Sequence, residues 1–194
     1  DWAALSISLF NTLVLVWLGL TVVFNAERRT LGVWLAGAGL LMGGAFFISH
    51  SAILGQHLDP ASPGLNFWWS AAWLPVILSP FAWYIVILWY SGYWEPDSPL
   101  RPRHRHWFWI TLGLAGASVL LLGFAHSLPS AAQLLDLDLT ATPSILGAPL
   151  LVLFYPLYAV LCTGLSLDVL RWPAPTLCSM AEQARQRAWP WLGA

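Results

Sequence analysis

Charge is absent from five long stretches of the chain, residues 2–26, 30–58, 60–94, 106–135 and 139–167, and returns in short bursts between them. Each stretch exceeds the roughly 20 apolar residues that cross a hydrocarbon core. Within them, runs such as "NTLVLVWLGLTVVF" and "LAGASVLLLGFA" are apolar all round and not striped, which is the pattern of helices that face lipid. Backbone amides in lipid must be satisfied inside their own segment, so these spans read as helices. The expectation is an all-α integral membrane bundle of five transmembrane helices, near 3–24, 31–54, 67–93, 107–125 and 147–170. Residues 1–172 then form the transmembrane domain and 173–194 a cytoplasmic segment. That segment ends in "ARQRAWPWLGA", where Trp-Pro-Trp-Leu reads as the opening of a further helix and the chain as a fragment of a longer parent.

Composition supports the membrane reading. Charged residues make up 9% of the chain and hydrophobic ones 58%, against about 25% charged in a soluble domain. The sequence has no lysine, and its eight arginines lie at 28, 29, 101, 103, 105, 171, 185 and 187. These fall after helices one, three and five, and none falls after helices two and four. By the positive-inside rule the N-terminus is outside and the C-terminus cytoplasmic. Of the 14 Trp, eight (Trp2, Trp34, Trp68, Trp69, Trp94, Trp107, Trp109 and Trp172) sit near expected helix ends, as an interfacial belt does. The partners implied are the lipid bilayer and other transmembrane helices or subunits, a second copy of the chain among them, and not nucleic acid.

Small residues mark where helices approach. Gly32, Ala36, Gly39 and Gly43 follow i, i+4, i+7, i+11 spacing in helix two, a stripe suited to close packing in lipid, and His50 continues it. Gly116, Gly123 and His126 form a similar series in helix four. Helix three carries Pro75 and Pro80, which shape the bundle or open a pocket lined by Trp69, Trp73, Trp83 and Tyr84. The outer connection 126–147 could start a short interfacial helix at Pro129 or equally be an irregular loop. The inner stretch "EPDSPLRPRHRH" (95–106) reads as a topogenic basic loop in preference to a phosphate or headgroup contact, and His104 and His106 go with it.

The inventory of reactive groups is sparse. Between the expected helix ends the sole charged residue is Asp168, three residues from Arg171, which argues against a pump or coupled transporter. The absence of lysine excludes a retinal Schiff base. No hydrolase, nucleotide-binding or kinase signature is present, and the chain reads as non-catalytic. What remains is an outer cluster. His50, His57 and His126 with Asp59, Asp136 or Asp138 would make a mixed nitrogen and oxygen set for a transition metal. His50 or His126 could instead bind a haem or chlorophyll-type pigment. His50 and His57 are two turns apart, about 10 Å along a helix, and share an ion only if the helix ends between them, where Gly55 stands. Interfacial histidines without a cofactor are the preferred reading; sensing of outer pH is a further one.

The segment "NTLVLVWLGLTVVFNAERRTLGVWLAGAGLLMGGAFFISHSAILG", with "SPFAWYIVILWYSGYW" at 79–94, resembles the N-terminal multi-pass region of bacterial membrane-bound sensor histidine kinases. The link "FNAERR" is the closest point, and "ARQRAWPWL" is similar to the entry into the next helix of such proteins. The resemblance implies a bacterial inner membrane and a parent that continues into a cytoplasmic kinase. It carries over no ligand residue. The leading expectation is therefore a sensor or input domain that relays an outer or in-membrane signal to a cytoplasmic partner. The alternative is a cofactor- or pigment-associated subunit of a respiratory or photosynthetic complex.

Overall fold

The computed structural model describes residues 2–27, 30–56, 63–124, 129–130, 133, 144–145 and 148–172. Five long helices fill them: α1 (Trp2–Asn25), α2 (Leu31–Gly55), α3 (Pro63–Tyr90), α4 (Leu100–Phe124) and α5 (Leu150–Arg171). All five are long and apolar enough to cross a membrane, and the protein is an all-α, multi-pass membrane bundle. A two-residue antiparallel bridge, Ser144–Ile145 (β1) with Ala148–Pro149 (β2), precedes α5. Ala148 and Pro149, expected in the first turn of the fifth helix, belong to this bridge instead.

Helix α3 is the hub. It packs on α2, α4 and α5, while α4 and α5 also pack on each other and α1 packs mainly on α2. The core lies where α3, α4 and α5 meet, around Phe81, Tyr84, Leu88, Leu100, Tyr158, Cys162 and Val169. At the rim, α1 buries only Ser8 and Gly19 and turns Phe10, Leu13, Trp17 and Phe24 outwards. A lone helix face so apolar is stable against hydrocarbon, where it costs nothing to leave it unpartnered.

The small-residue stripe is shifted in part from the expected line, although Gly43 keeps its expected place, with Leu15 Cδ1 of α1 3.3 Å from where a Cβ would stand. Gly37 and Gly44 are buried, whereas Gly39 is exposed and has no neighbour where a Cβ would stand. Gly37 receives Val23 of α1, and Gly44 has Val16 Cγ2 at 2.8 Å from that position. Together with Ser51 they form an i, i+7, i+14 line that lets α1 close on α2. Gly32, which was expected to pack, does so: the Trp89 ring of α3 lies over it.

The largest shift from expectation concerns α4, which starts at Leu100 and not at 107. Prolines in 95–106 point to a loop, yet Pro102 stands in the first turn of α4. There the backbone N–H has no intrahelical acceptor, so a proline is tolerated. The connection from α3 is correspondingly tight. Gly92, at φ 80°, takes the left-handed position of a Schellman motif. The Tyr93 amide donates to the Leu88 carbonyl at 3.0 Å and the Gly92 amide to that of Trp89 at 3.1 Å. In α3 itself both Pro75 and Pro80 are accommodated within one continuous helix.

In the connection between α4 and α5, the described residues carry one helix-start feature. The Ser130 amide donates to Gln133 Oε1 at 2.8 Å, and the Gln133 amide to Ser130 Oγ at 3.1 Å, a reciprocal capping pair. The Pro129 carbonyl accepts the Trp69 indole N–H at 3.0 Å, tying this connection to the start of α3.

Gly32→Ala should destabilise the bundle by about 1–3 kcal/mol, because the Cβ would overlap the rigid Trp89 ring. Gly39→Ala should instead be neutral or gain up to about 1 kcal/mol of helix propensity. Unfolding by denaturing detergent, followed by circular dichroism, distinguishes the two lines of packing.

Candidate functional site

The early start of α4 creates the most polar part of the core. Leu100, His104, Thr111, Ala115 and Ser118 are all buried. Their spacing is that of one helix face directed at α3 and α5. His104 is fully buried on this face, while Arg101, Arg103 and Arg105 flank it and remain exposed. The sequence reading left His104 in a solvated loop. The correction follows from the helix start, which converts an alternating Arg-His stretch into a helix with a single inward position.

Three helices converge on the imidazole. Tyr84 Oη of α3 lies 2.9 Å from His104 Nδ1. Asp168 Oδ2 of α5 lies 3.2 Å from His104 Nε2, in ion-pair range but off the line of a good hydrogen bond, which leaves Nε2 without a well-formed partner. The other carboxylate oxygen, Oδ1, accepts from Arg103 Nη2. Adjacent residues of α4 thus address the two oxygens of one carboxylate. Asp168, the lone charged residue expected inside a span, is partnered by Arg103 across helices and not by its neighbour Arg171, whose guanidinium sits over Trp172 at 5.8 Å.

A carboxylate beside Nε2 favours the proton on that nitrogen. Nδ1 is then an acceptor, and the Tyr84 hydroxyl donates to it. The series Tyr84–His104–Asp168 is a directed polar chain that ends on a partly exposed carboxylate, whose side chain is 37% accessible. Below it, Tyr158 and Cys162 are buried in the same cluster. The Tyr158 hydroxyl is near the Cys162 thiol but makes no hydrogen bond of good geometry. The arrangement places one imidazole between a hydroxyl of α3 and a carboxylate of α5. Among the described residues no group of three or more His, Cys, Asp or Glu is placed to hold a metal ion.

A second polar site joins α1 to α2 near the opposite ends of the helices. Ser8 Oγ accepts from Ser51 Oγ at 2.8 Å, lies 3.0 Å from His50 Nδ1, and donates to the Phe47 carbonyl at 3.2 Å. One hydroxyl has one proton. If it goes to Phe47, His50 must donate through Nδ1, and its Nε2 carries a lone pair. The ring also stacks on Phe46 at 6.0 Å. His50 therefore faces protein, as its place seven residues beyond Gly43 predicts, but what it meets is a serine network. Ser8, which anchors that network, went unnoticed in the sequence because a single serine in an apolar run carries no pattern. The other members of the expected outer cluster, His57, Asp59, His126, Asp136 and Asp138, lie outside the described residues, as does Cys178.

Tyr84 was expected to line a pocket at the prolines of α3. It turns instead into the core, and the pocket beside Pro75 is bounded by Gly39, Met42 and Phe46 of α2 with Tyr155 of α5. Trp69, Trp73 and Tyr155 form an edge-to-face series nearby. Trp83 lines a neighbouring apolar cavity of about 430 Å³ between α2 and α3. No family model, curated protein or solved structure matches the chain.

Tyr84→Phe removes the sole hydrogen bond seen at His104 Nδ1 and should cost about 1–3 kcal/mol. It should also shift the His104 ring 15N resonances by changing the tautomer balance. Unfolding midpoints together with imidazole NMR in micelles test both; an unchanged His104 spectrum would mean that the two side chains are not coupled.

Proposed function

We propose that the chain is a non-catalytic membrane input domain that relays an outer or in-membrane signal to a cytoplasmic partner. In this reading it lies in a bacterial inner membrane with its N-terminus outside. The described arginines support that orientation: Arg101, Arg103 and Arg105 lie at the start of α4, where Arg103 meets the end of α5, which carries Arg171, and the cytoplasm is the side that retains such charge. The partner fits the cytoplasmic kinase of the sensor proteins that the first two helices resemble.

The observation that carries the reading is the meeting of Arg103 and His104 with Asp168, with Tyr84 hydrogen-bonded to His104 from the other side. It links three helices at the end of the bundle where α5 finishes, at Arg171. Intramembrane ionisable groups are costly and are kept where they act. Nothing in the cluster is a nucleophile poised for reaction, and one carboxylate shared by a guanidinium and an imidazole is a contact with more than one arrangement. A signal that moves α5 by a fraction of a turn, or a proton gained by His104, would redistribute those arrangements. Such a population shift needs differential contacts in two states, and the partly exposed carboxylate supplies them.

A distance measurement tests this. Nitroxides at Leu31→Cys and Trp172→Cys, with Cys178→Ser and the buried Cys162 left in place, report the start of α2 against the end of α5 in nanodiscs. An input domain should give two distance populations whose weights change in Asp168→Asn. One unchanged distance in both proteins would overturn the reading and favour a rigid structural subunit.

The alternative, a cofactor-associated subunit, draws support from His50, whose Nδ1 is engaged by Ser8. A ligating histidine is commonly fixed in this way through its other nitrogen. A haem or chlorophyll-type pigment on His50 predicts a visible absorption band in chain purified from its own membranes, and its loss in His50→Ala. A colourless protein ends that alternative.

A further inference from the structure

The turn between α3 and α4 encloses a cleft of about 700 Å³ beside the first turns of α4. Arg101 and Arg105, one helical turn apart, both line it, whereas Arg103 is turned away to Asp168. Ser98 also lines the cleft; it is 93% buried and its Oγ has no hydrogen-bond partner. A buried hydroxyl without a partner is costly unless something fills that role. Two guanidinium forks, an orphan hydroxyl and the positive end of a 25-residue helix all converge on one kind of ligand, an oxyanion. Asp97 opposes it from the same wall, so the cleft's formal charge is two positive against one negative, a net of one.

The rest of the lining indicates what carries the anion. Trp109 is largely and Trp94 partly exposed at its edge, and they are bridged by Phe108, with ring centroids 5.5 and 6.3 Å away. Tryptophans at this level favour the boundary between headgroup and acyl chain. The volume far exceeds that of a phosphate ion and would admit a headgroup with its glycerol. We propose that this cleft binds the phosphodiester of an anionic glycerophospholipid, with Arg101, Arg105 and Ser98 on the phosphate and the tryptophans against the lipid. The site is separate from the Tyr84–His104–Asp168 chain and does not depend on the function assigned to that chain.

Native mass spectrometry of the chain released from nanodiscs tests this. The nanodiscs would hold phosphatidylcholine alone or phosphatidylcholine doped with phosphatidylglycerol. Wild type should retain one phosphatidylglycerol. Arg101→Gln with Arg105→Gln should weaken retention by about tenfold or more, Ser98→Ala should weaken it by a smaller factor, and Asp97→Asn should strengthen it. Arg171→Gln, at the same end of the bundle but outside the cleft, should leave it unchanged. Equal retention of phosphatidylcholine, or equal loss in Arg171→Gln, would overturn the proposal in favour of general attraction. Displacement of the lipid by millimolar inorganic phosphate would overturn it in favour of a free-phosphate site. The gain expected in Asp97→Asn keeps the test decisive should the double arginine variant fail to fold.

Discussion

A polar group inside hydrocarbon must find its partner within the protein, and the architecture of this chain follows from that constraint. It makes the five spans helices, since a helix bonds its own backbone. It also decides the fate of hydroxyls within them. Ser6, Thr12, Ser49, Thr111, Ser118 and Ser166 each donate back to the carbonyl one turn earlier, so they remain inside an apolar helix at small cost. Where a side chain is too polar for its own helix to satisfy, it reaches a neighbour. Ser8 with His50 and Ser51 is one such place, and Tyr84 with His104 and Asp168 is another.

Helix association in lipid has no large hydrophobic gain behind it, so close approach and these polar contacts hold the bundle. The two sides of the molecule use them differently. On the α1–α2 side glycines bring backbones together, and the polar network at Ser8 fixes the register. On the α3–α4–α5 side aromatic packing provides bulk, and a carboxylate shared by Arg103 and His104 closes the three-helix junction. The first arrangement suits a static pair. The second contains ionisable groups with alternative partners, which is why the proposed signalling role is assigned to it.

The segment that joins α3 to α4 illustrates how one stretch serves two ends. Residues 95–105 spread their charges over opposite faces once α4 starts at Leu100. One face presents Arg101 and Arg105 to a cleft at the turn, the other sends His104 and Arg103 to α5. Alternation of arginine with other residues along a helix divides the charge in this way, because successive side chains point about 100° apart.

Five spans, the arginine asymmetry and the inward orientation of His50 were legible in the sequence, because charge-free length and small-residue spacing act locally and need no partner. The direction of packing was less so. Gly39 has the same spacing as the packing glycines, and only the position of α1 selects Gly37, Gly43 and Gly44 and leaves Gly39 out. The role of His104 was hidden for a related reason. Pro102 looks like a loop residue until the first turn of a helix is laid over it, and a burst of arginines looks solvated until one neighbour is seen to face inward. Asp168 stood out by sequence as an isolated charge, but its partners lie 64 and 65 positions away on another helix. The sequence by itself determined which segments cross the membrane, since hydrophobic length is a property of each segment alone. Only the tertiary structure decided which polar side chains meet, because that depends on how helices rotate about their axes to pack.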